Sequence, residues 1–294
     1  MAANYLPHTV VLFDADLNLV RSHAVRSEDG KTSSRVSAVY DAAPRHSFVA
    51  ALKDLAEVWE IRYDTPPPDR SPAAAPTAEP RRLALDEPLD DFFFDPPYRH
   101  LLGATRPRQG GQGGAAARAS AQVVDLDAGR KIADLPIDGM PHLGSGITFA
   151  WRDTTVLASP NLGGGAIDVI DMKTWRTVRT IGTPGPGFFM RSHENTPYAW
   201  TDSMMGAEGR DTLTIIDKRT LEVAARIREP GRTLAHIEFT RDGRYALASV
   251  WEMDGAIVVY DAATFAEVKR LPMRKPIGKY NVWNKITRSE GTSH

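Results

Sequence analysis

Cysteine is absent from all 294 residues. That excludes disulfides, thiolate metal sites, a cysteine nucleophile and covalent attachment of c-type haem, which needs Cys-x-x-Cys-His. Long apolar runs are missing as well. No stretch approaches the ~20 apolar residues of a membrane span, so a soluble chain is expected. Between Met1 and Val20 no basic stretch precedes an apolar one, so no signal peptide is expected. Charge of one sign is also lacking. The 36 basic and 37 acidic residues leave a formal charge of -1, and no basic run stands out. Nucleic acid therefore has no electrostatic support as a partner. His-Glu-x-x-His, Gly-x-x-x-x-Gly-Lys and Gly-x-Ser-x-Gly are missing among the catalytic signatures. What the chain does have is core material. It is 42% hydrophobic, with six Trp and ten Phe, ample for a folded globular protein.

That material is periodic. Five segments share an apolar run ending in Asp, a short polar turn, and a second apolar-rich run. They are Val10–Val20, Val123–Leu135, Ile167–Ile181, Leu213–Ile227 and Ile257–Leu271, with aspartates Asp14, Asp127, Asp171, Asp217 and Asp261. The last four aspartates are spaced 44, 46 and 44 residues apart. A weaker sixth copy is Val58–Asp64. Each copy reads as a β-hairpin, because β-branched residues alternate with polar ones and the Asp carboxylate can accept turn N–H groups. A second hairpin precedes the later copies, clearest in Ile237–Val250 with Asp242-Gly243 at its turn. Related forms stand at Val36–Ala50, Phe92–Ala104, Thr148–Ser159 and Phe188–Trp200. Two hairpins per ~45 residues make a four-stranded antiparallel unit that cannot bury both faces alone, so units must stack. The expected fold is all-β, a β-propeller with about five to six blades visible; a β-sandwich is the competing reading.

Two stretches break the pattern. Thr65–Pro80 is rich in Pro and Ala, and Arg106–Ser120 in Gly, Gln and Ala. Both are expected to be flexible insertions, within bounds of 65–84 and 106–120, on the blade carrying Asp91–Arg106. A single domain over 1–294 is expected around them.

Propellers place function on loops at the mouth of the channel. Eight histidines are candidates: His8, His23, His46, His100, His142, His193, His236 and His294. His142 lies in Gly139–Gly146, where flanking glycines allow close backbone approach to a ligand. His193 lies in Gly185–Glu194, behind a Gly-Pro-Gly turn and an aromatic pair, with Arg191 two positions before it. The two are 51 residues apart, close to one repeat, which predicts both imidazoles at one end of the channel. There they could deliver protons to a bound anion; the alternative is that both cap inner-strand ends.

The segments GMPHLGSG and FFMRSHENTPYAWTD resemble the two that supply the distal histidine pair of haem-d1 nitrite reductases. Arg35–Tyr40, Ser249–Glu252 and Pro276–Asn284 add further matches in the family's order, from near Asn4 to the C-terminus. The resemblance, to the cytochrome cd1-type nitrite reductases and related d1-haem biosynthesis proteins, covers the C-terminal part of their propeller. It implies an eight-bladed ring holding haem d1 flat in its channel. Nitrite would be reduced at the iron to nitric oxide, with His142 and His193 as catalytic proton donors. Arg35 and Arg191 would pair with the macrocycle's carboxylates, Gly278 would pack against its edge, and Trp251 would lie near it. The periplasm, an electron-donor cytochrome and a homodimer are implied by resemblance too.

The chain departs from the reductase pattern in three ways. Its match starts late, beyond the c-type haem domain and the first blades. No residue matches the proximal iron ligand, since His8 and His23 lie in unrelated contexts. His236, in Leu234–Phe239, has no counterpart in that pattern and reads either as a structural inner-strand residue or as a mark of the biosynthetic branch. Two further roles therefore stand beside nitrite reduction. One is oxidising or holding a d1-haem precursor. The other is a non-catalytic propeller platform or an inactive fragment.

Overall fold

Alternation of period two becomes antiparallel strand throughout the computed structural model, which describes residues 1–63, 79–105, 121–135, 137 and 139–292. These fall into two compact units. One is formed by the described residues of Met1–Arg108 and Ala121–Ala133, the other by those of Asp134–His294.

The first unit carries three sheets. A three-stranded sheet is ordered β1 (Ala2–Asn4), β2 (Thr9–Phe13), β3 (Leu19–Ala24). The second is β4 (Val36–Ala42), β5 (Ser47–Leu52), β6 (Glu57–Arg62), β7 (Arg81–Ala84), and the third β8 (Asp91–Phe94), β9 (His100–Ala104), β10 (Ala121–Asp125), β11 (Arg130–Leu135). The second unit repeats the same order three times. Its sheets are β12 (Ile147–Trp151), β13 (Thr154–Pro160), β14 (Ala166–Asp171), β15 (Arg176–Gly182); β16 (Met190–Arg191), β17 (Tyr198–Thr201), β18 (Thr212–Asp217), β19 (Glu222–Arg228); and β20 (Leu234–Phe239), β21 (Tyr245–Val250), β22 (Ala256–Asp261), β23 (Glu267–Pro272). A short helix, α1 (Val282–Thr287), follows. Five sheets thus have four strands in chain order, the arrangement of a propeller blade.

The hairpin between third and fourth strands repeats in detail. Asp171 Oδ1 accepts the N–H groups of Lys173 (2.7 Å) and Thr174 (2.9 Å), and Asp261 Oδ1 those of Ala263 (3.0 Å) and Thr264 (2.8 Å). Asp14 and Asp217 do likewise toward Asp16 and Arg219. In the β10–β11 turn the role belongs to Asp125, not to Asp127 as expected. Asp125 Oδ1 accepts from Asp127 N and Ala128 N, both at 2.9 Å, while the Asp127 side chain turns away to pair with Arg45. The corrected spacings are 46, 46 and 44 residues. A one-residue register shift just before the aspartate marks the same hairpin in β2–β3, β14–β15, β18–β19 and β22–β23. By that mark β1, β2 and β3 hold the second, third and fourth positions of a blade.

Residues 64–78 and 106–120 lie outside the described residues. The first interrupts the β6–β7 connection and the second β9–β10, so they belong to two different sheets rather than one. Arg81–Ala84, expected inside the first insertion, is strand β7, with Leu83 opposite Val58. Leu83 is fully buried, and that burial decides its place.

Fourth strands are the exposed edges. β19 alternates exposed and half-buried residues, and β23, Glu-Val-Lys-Arg-Leu-Pro, is exposed throughout. Charge there protects a free edge from pairing with other chains. The inner strands stack face to face within each unit. In the second unit Trp200, Leu213 and Ile215 pack with Phe239, Val250 and Val258, and Phe149, Val156 and Val169 with Met190 and Ile216. Full burial of side chains such as Trp200 and Phe239 contributes about 1.5–3 kcal/mol each.

Candidate functional site

Where the first strands β16 and β20 begin, the second unit buries polar groups instead of apolar ones. Asp202 and His236 are wholly buried, and Arg191 and Glu238 are 2% and 5% exposed. Gly187 makes the approach possible, since a Cβ there would meet Asp202 O at 2.6 Å. The Asp202 carboxylate accepts N–H bonds from Phe188 (2.8 Å), Phe189 (3.2 Å) and His236 (3.0 Å). Burial pushes its pKa up, against those bonds.

His236 sits in the β20 register shift between Ala235 and Glu238, at φ +50. Its ring lies 4.3 Å from Phe189 and 5.0 Å from Tyr280, and neither ring nitrogen has a partner. Burial first, then Lys279 and Arg191, lower its pKa to about 3, so the imidazole is neutral. Arg191 Nη1 donates to Met190 O at 2.7 Å. Its Nε is without a partner and stands 3.8 Å from Glu238 Oε2, itself unpartnered; Glu238 Oε1 accepts Phe239 N–H at 2.9 Å.

The C-terminal segment lies along the first strands of all three sheets in this unit. Ser249 Oγ donates to Ile277 O at 3.2 Å. Lys279 Nζ donates to Ser249 Oγ (2.8 Å) and to His236 O. Asn281 and Asn284 Nδ2 both reach Phe239 O, and the Arg241 guanidinium stacks 3.7 Å over Trp283. Asn281 Oδ1 caps α1 by accepting Asn284 N–H. Gly291 then bridges two sheets, accepting from Ser192 N (2.8 Å) and donating to Thr148 O (3.1 Å). Burial draws the Lys279 amine down to about 7. Ile277, Tyr280, Val282, Trp283 and Ile286 stay exposed, an apolar surface beside the buried charges.

His142 belongs to this end. It precedes β12, its Nδ1–H donates to Phe188 O at 2.7 Å, and its ring lies 4.1 Å from Phe188. His193 does not. It follows β16 in the turn to β17, packed on Gly243, and its Nδ1 accepts Asn195 N–H at 3.1 Å. The expected pairing fails on arithmetic. One repeat of 46 residues carries His142 to Phe188, and His193 lies five residues further on, past β16.

Trp251 is half-buried after β21, on the His236 end, with the Lys275 ammonium 5.4 Å over its ring. Gly278 is exposed, and a Cβ there would meet only the Tyr280 ring, at 3.6 Å. Arg35 lies in the first unit, its guanidinium held by Asp54 and by Tyr5 Oη at 2.7 Å. That pairing holds the Asp54 carboxyl down to about 2. His8 and His23 are also in the first unit; His8 Nδ1 meets Ser33 Oγ, and the buried His23 Nε2 is unpartnered. Among the described residues no three His, Asp or Glu side chains converge to hold a metal ion. Sequence reasoning passed over Asp202, Glu238 and Lys279. Two of them stood within the matched segments, but nothing in a linear pattern marks a carboxylate or an amine as buried.

The cytochrome D1 heme domain family matches residues 1–285. A dihydro-heme d1 dehydrogenase of Pseudomonas aeruginosa is 52% identical over 296 residues, covering all of this chain and 56% of that protein. The chain thus spans about half the length of this curated relative. A solved dihydro-heme d1 dehydrogenase, NirN, in complex with DHE superposes with a TM-score of 0.85 at 52% identity, over 97% of this chain and 57% of that one. A Kuenenia stuttgartiensis hydrazine synthase superposes at 0.54 with 16% identity, over 78% and 64%, a likeness of fold alone. The sheets are blades of a β-propeller, as expected. The expectation of a nitrite reductase is overturned, because this relative acts on dihydro-heme d1. Segments that hold one macrocycle are shared by proteins that do different chemistry on it, so they misdirected the reading of the reaction.

Proposed function

The chain belongs to the cytochrome D1 heme domain family, and from that premise we propose that it binds a dihydro-haem d1 precursor and takes part in its oxidation. The observation that carries this reading is the buried cluster of Arg191, His236 and Glu238, whose unpartnered atoms lie beside an exposed apolar segment. Leaving a buried polar atom unsatisfied costs about 1–3 kcal/mol, so such a cluster calls for a ligand. A tetrapyrrole fits both needs. Its flat apolar face covers Ile277, Tyr280 and Trp283, and its acidic side chains suit the Arg191 guanidinium.

Converting a saturated carbon pair to a double bond releases two electrons and two protons. The neutral His236 imidazole takes one proton, since both its nitrogens are unpartnered and the ring is unprotonated at neutral pH. His142 is placed beside this end for the second, its ring oriented by the Nδ1–H bond to Phe188 O. Asp202 orients His236 through the backbone, and Phe188 and Phe189 exclude water. The electrons pass to an acceptor outside these residues, which without cysteine carry no c-type haem themselves. A redox partner therefore withdraws electrons rather than donating them. The proposed compartment is the periplasm, as the resemblance implies.

The test is a titration of the purified chain with dihydro-haem d1, followed by addition of an oxidised cytochrome c. Stoichiometric binding and appearance of the d1-haem spectrum support the reading, with His236→Phe binding normally but oxidising at least about 100-fold more slowly. A folded chain that binds nothing overturns it; equal turnover by the variant removes His236 from the chemistry.

A further inference from the structure

Lys279 is a cation at the edge of this cluster. It reaches the first strands from the C-terminal segment, and its amine is enclosed by His236 O and Ser249 Oγ. An ammonium has three N–H donors, and these two acceptors use two of them. Among the described residues no carboxylate pairs with it, although three charged groups act on it. Arg191 faces it from β16, Asp202 from the segment after β17 and Glu238 from β20, while Lys285, on its own segment, acts on Arg191 and Glu238. His236 and Tyr280, also nearby, complete the titratable set. Asp202 is occupied by three backbone N–H groups and Glu238 Oε1 by another. Three cations, Arg191, Lys279 and Lys285, thus face the two carboxylates of Asp202 and Glu238, of which Glu238 Oε2 has no hydrogen-bond partner. The imbalance is what an incoming acid group would correct.

We propose that Lys279 is a specificity-determining residue that pairs with a carboxylate of the bound tetrapyrrole, so that the C-terminal segment selects ligands by their acidic side chains. The inference rests on the tetrapyrrole reading above. It explains why the segment's lysine is aimed inward at a carbonyl while Ile277 and Tyr280, on either side, remain exposed. Binding of the acid adds the missing counter-charge, and the ammonium keeps its two bonds to Ser249 and His236. With its pKa near 7 before binding, Lys279 loses charge as pH rises through neutrality, and selection for the acid weakens in the same direction. His236 is neutral across that range and contributes no slope.

The probes are iron protoporphyrin IX, with two carboxylates, and its dimethyl ester, titrated by absorbance into the full chain and into Lys279→Met and Lys279→Arg. A charge-assisted bond predicts that Lys279→Met weakens binding of the acid about tenfold and leaves the ester unchanged, while Lys279→Arg binds the acid within about twofold of the parent. The parent's preference for acid over ester should fall between about pH 6 and 8.5, and that of Lys279→Arg should stay level. Equal losses for acid and ester, or an undiminished acid affinity in Lys279→Met, overturn the assignment. Should Lys279→Met fail to fold, the Arg variant and the pH series decide alone, a level preference in the parent counting against Lys279. If the parent binds neither probe nor dihydro-haem d1, the tetrapyrrole reading falls as well. If it binds acid and ester alike at every pH, only the role of Lys279 falls.

Discussion

The Asp202 carboxylate holds the backbone N–H of His236, 34 residues away, at 3.0 Å. With that bond one buried acid fixes the left-handed conformation of a histidine whose ring has no hydrogen bond of its own. The same carboxylate binds Phe188 and Phe189, so it joins the entrance of β16 to β20. Asp202→Asn puts an NH2 where one N–H now points. We expect a loss of about 1–3 kcal/mol, read as a lower urea midpoint at unchanged slope.

His236 also makes stability depend on pH, with a definite sign. The unfolded imidazole takes a proton near 6.5, whereas the folded one resists until about 3. The unfolded state therefore binds more protons in that window, and stability falls as pH falls from 6.5 toward 3. His236→Phe should flatten this part of the curve. Thermal melts of both proteins between about pH 4 and 7.5 test it, and parallel curves would refute it.

Arg191 and Glu238 are buried together without a hydrogen bond between them. Removing one charge strands the other. Arg191→Met is expected to cost about 3–5 kcal/mol, and Arg191→Met with Glu238→Leu to recover most of it. A double-mutant cycle by chemical denaturation measures the coupling.

Two glycines separate strain from collision. Gly243 and Gly231 have similar left-handed φ values, +70 and +78. A Cβ at Gly243 would lie 2.5 Å from His193 Nδ1, whereas at Gly231 it would meet nothing within 4 Å. Gly231→Ala should cost about 1 kcal/mol from conformation alone, and Gly243→Ala distinctly more, with the His193 ring displaced in its NMR spectrum.

The corrected turn of the third sheet is testable as well. Asp125→Ala removes the acceptor for Asp127 N and Ala128 N and the pairing of Arg99. Asp127→Ala removes only a side-chain pairing with Arg45. The first should lower the melting temperature clearly more than the second; the reverse order would restore Asp127 as the turn residue.

The repeat, its hairpins and their all-β class were legible in the chain because they are local. Alternation, an aspartate and a turn act within a few residues, and backbone bonds to Asp171 and Asp261 follow from that spacing. Even there, choosing Asp125 over Asp127 required the geometry, since two aspartates two residues apart look alike in sequence. The histidine pairing needed register to within a residue, which turns and bulges shift and periodicity averages away. The cluster itself was decided by tertiary structure alone. Arg191, Asp202, His236, Glu238 and Lys279 come from two sheets and a C-terminal segment, and only their meeting buries the first four and encloses the Lys279 amine. Burial is what neutralises His236 and lowers Lys279, because the cost of removing charge from water depends on what surrounds a residue, not on its neighbours in the chain.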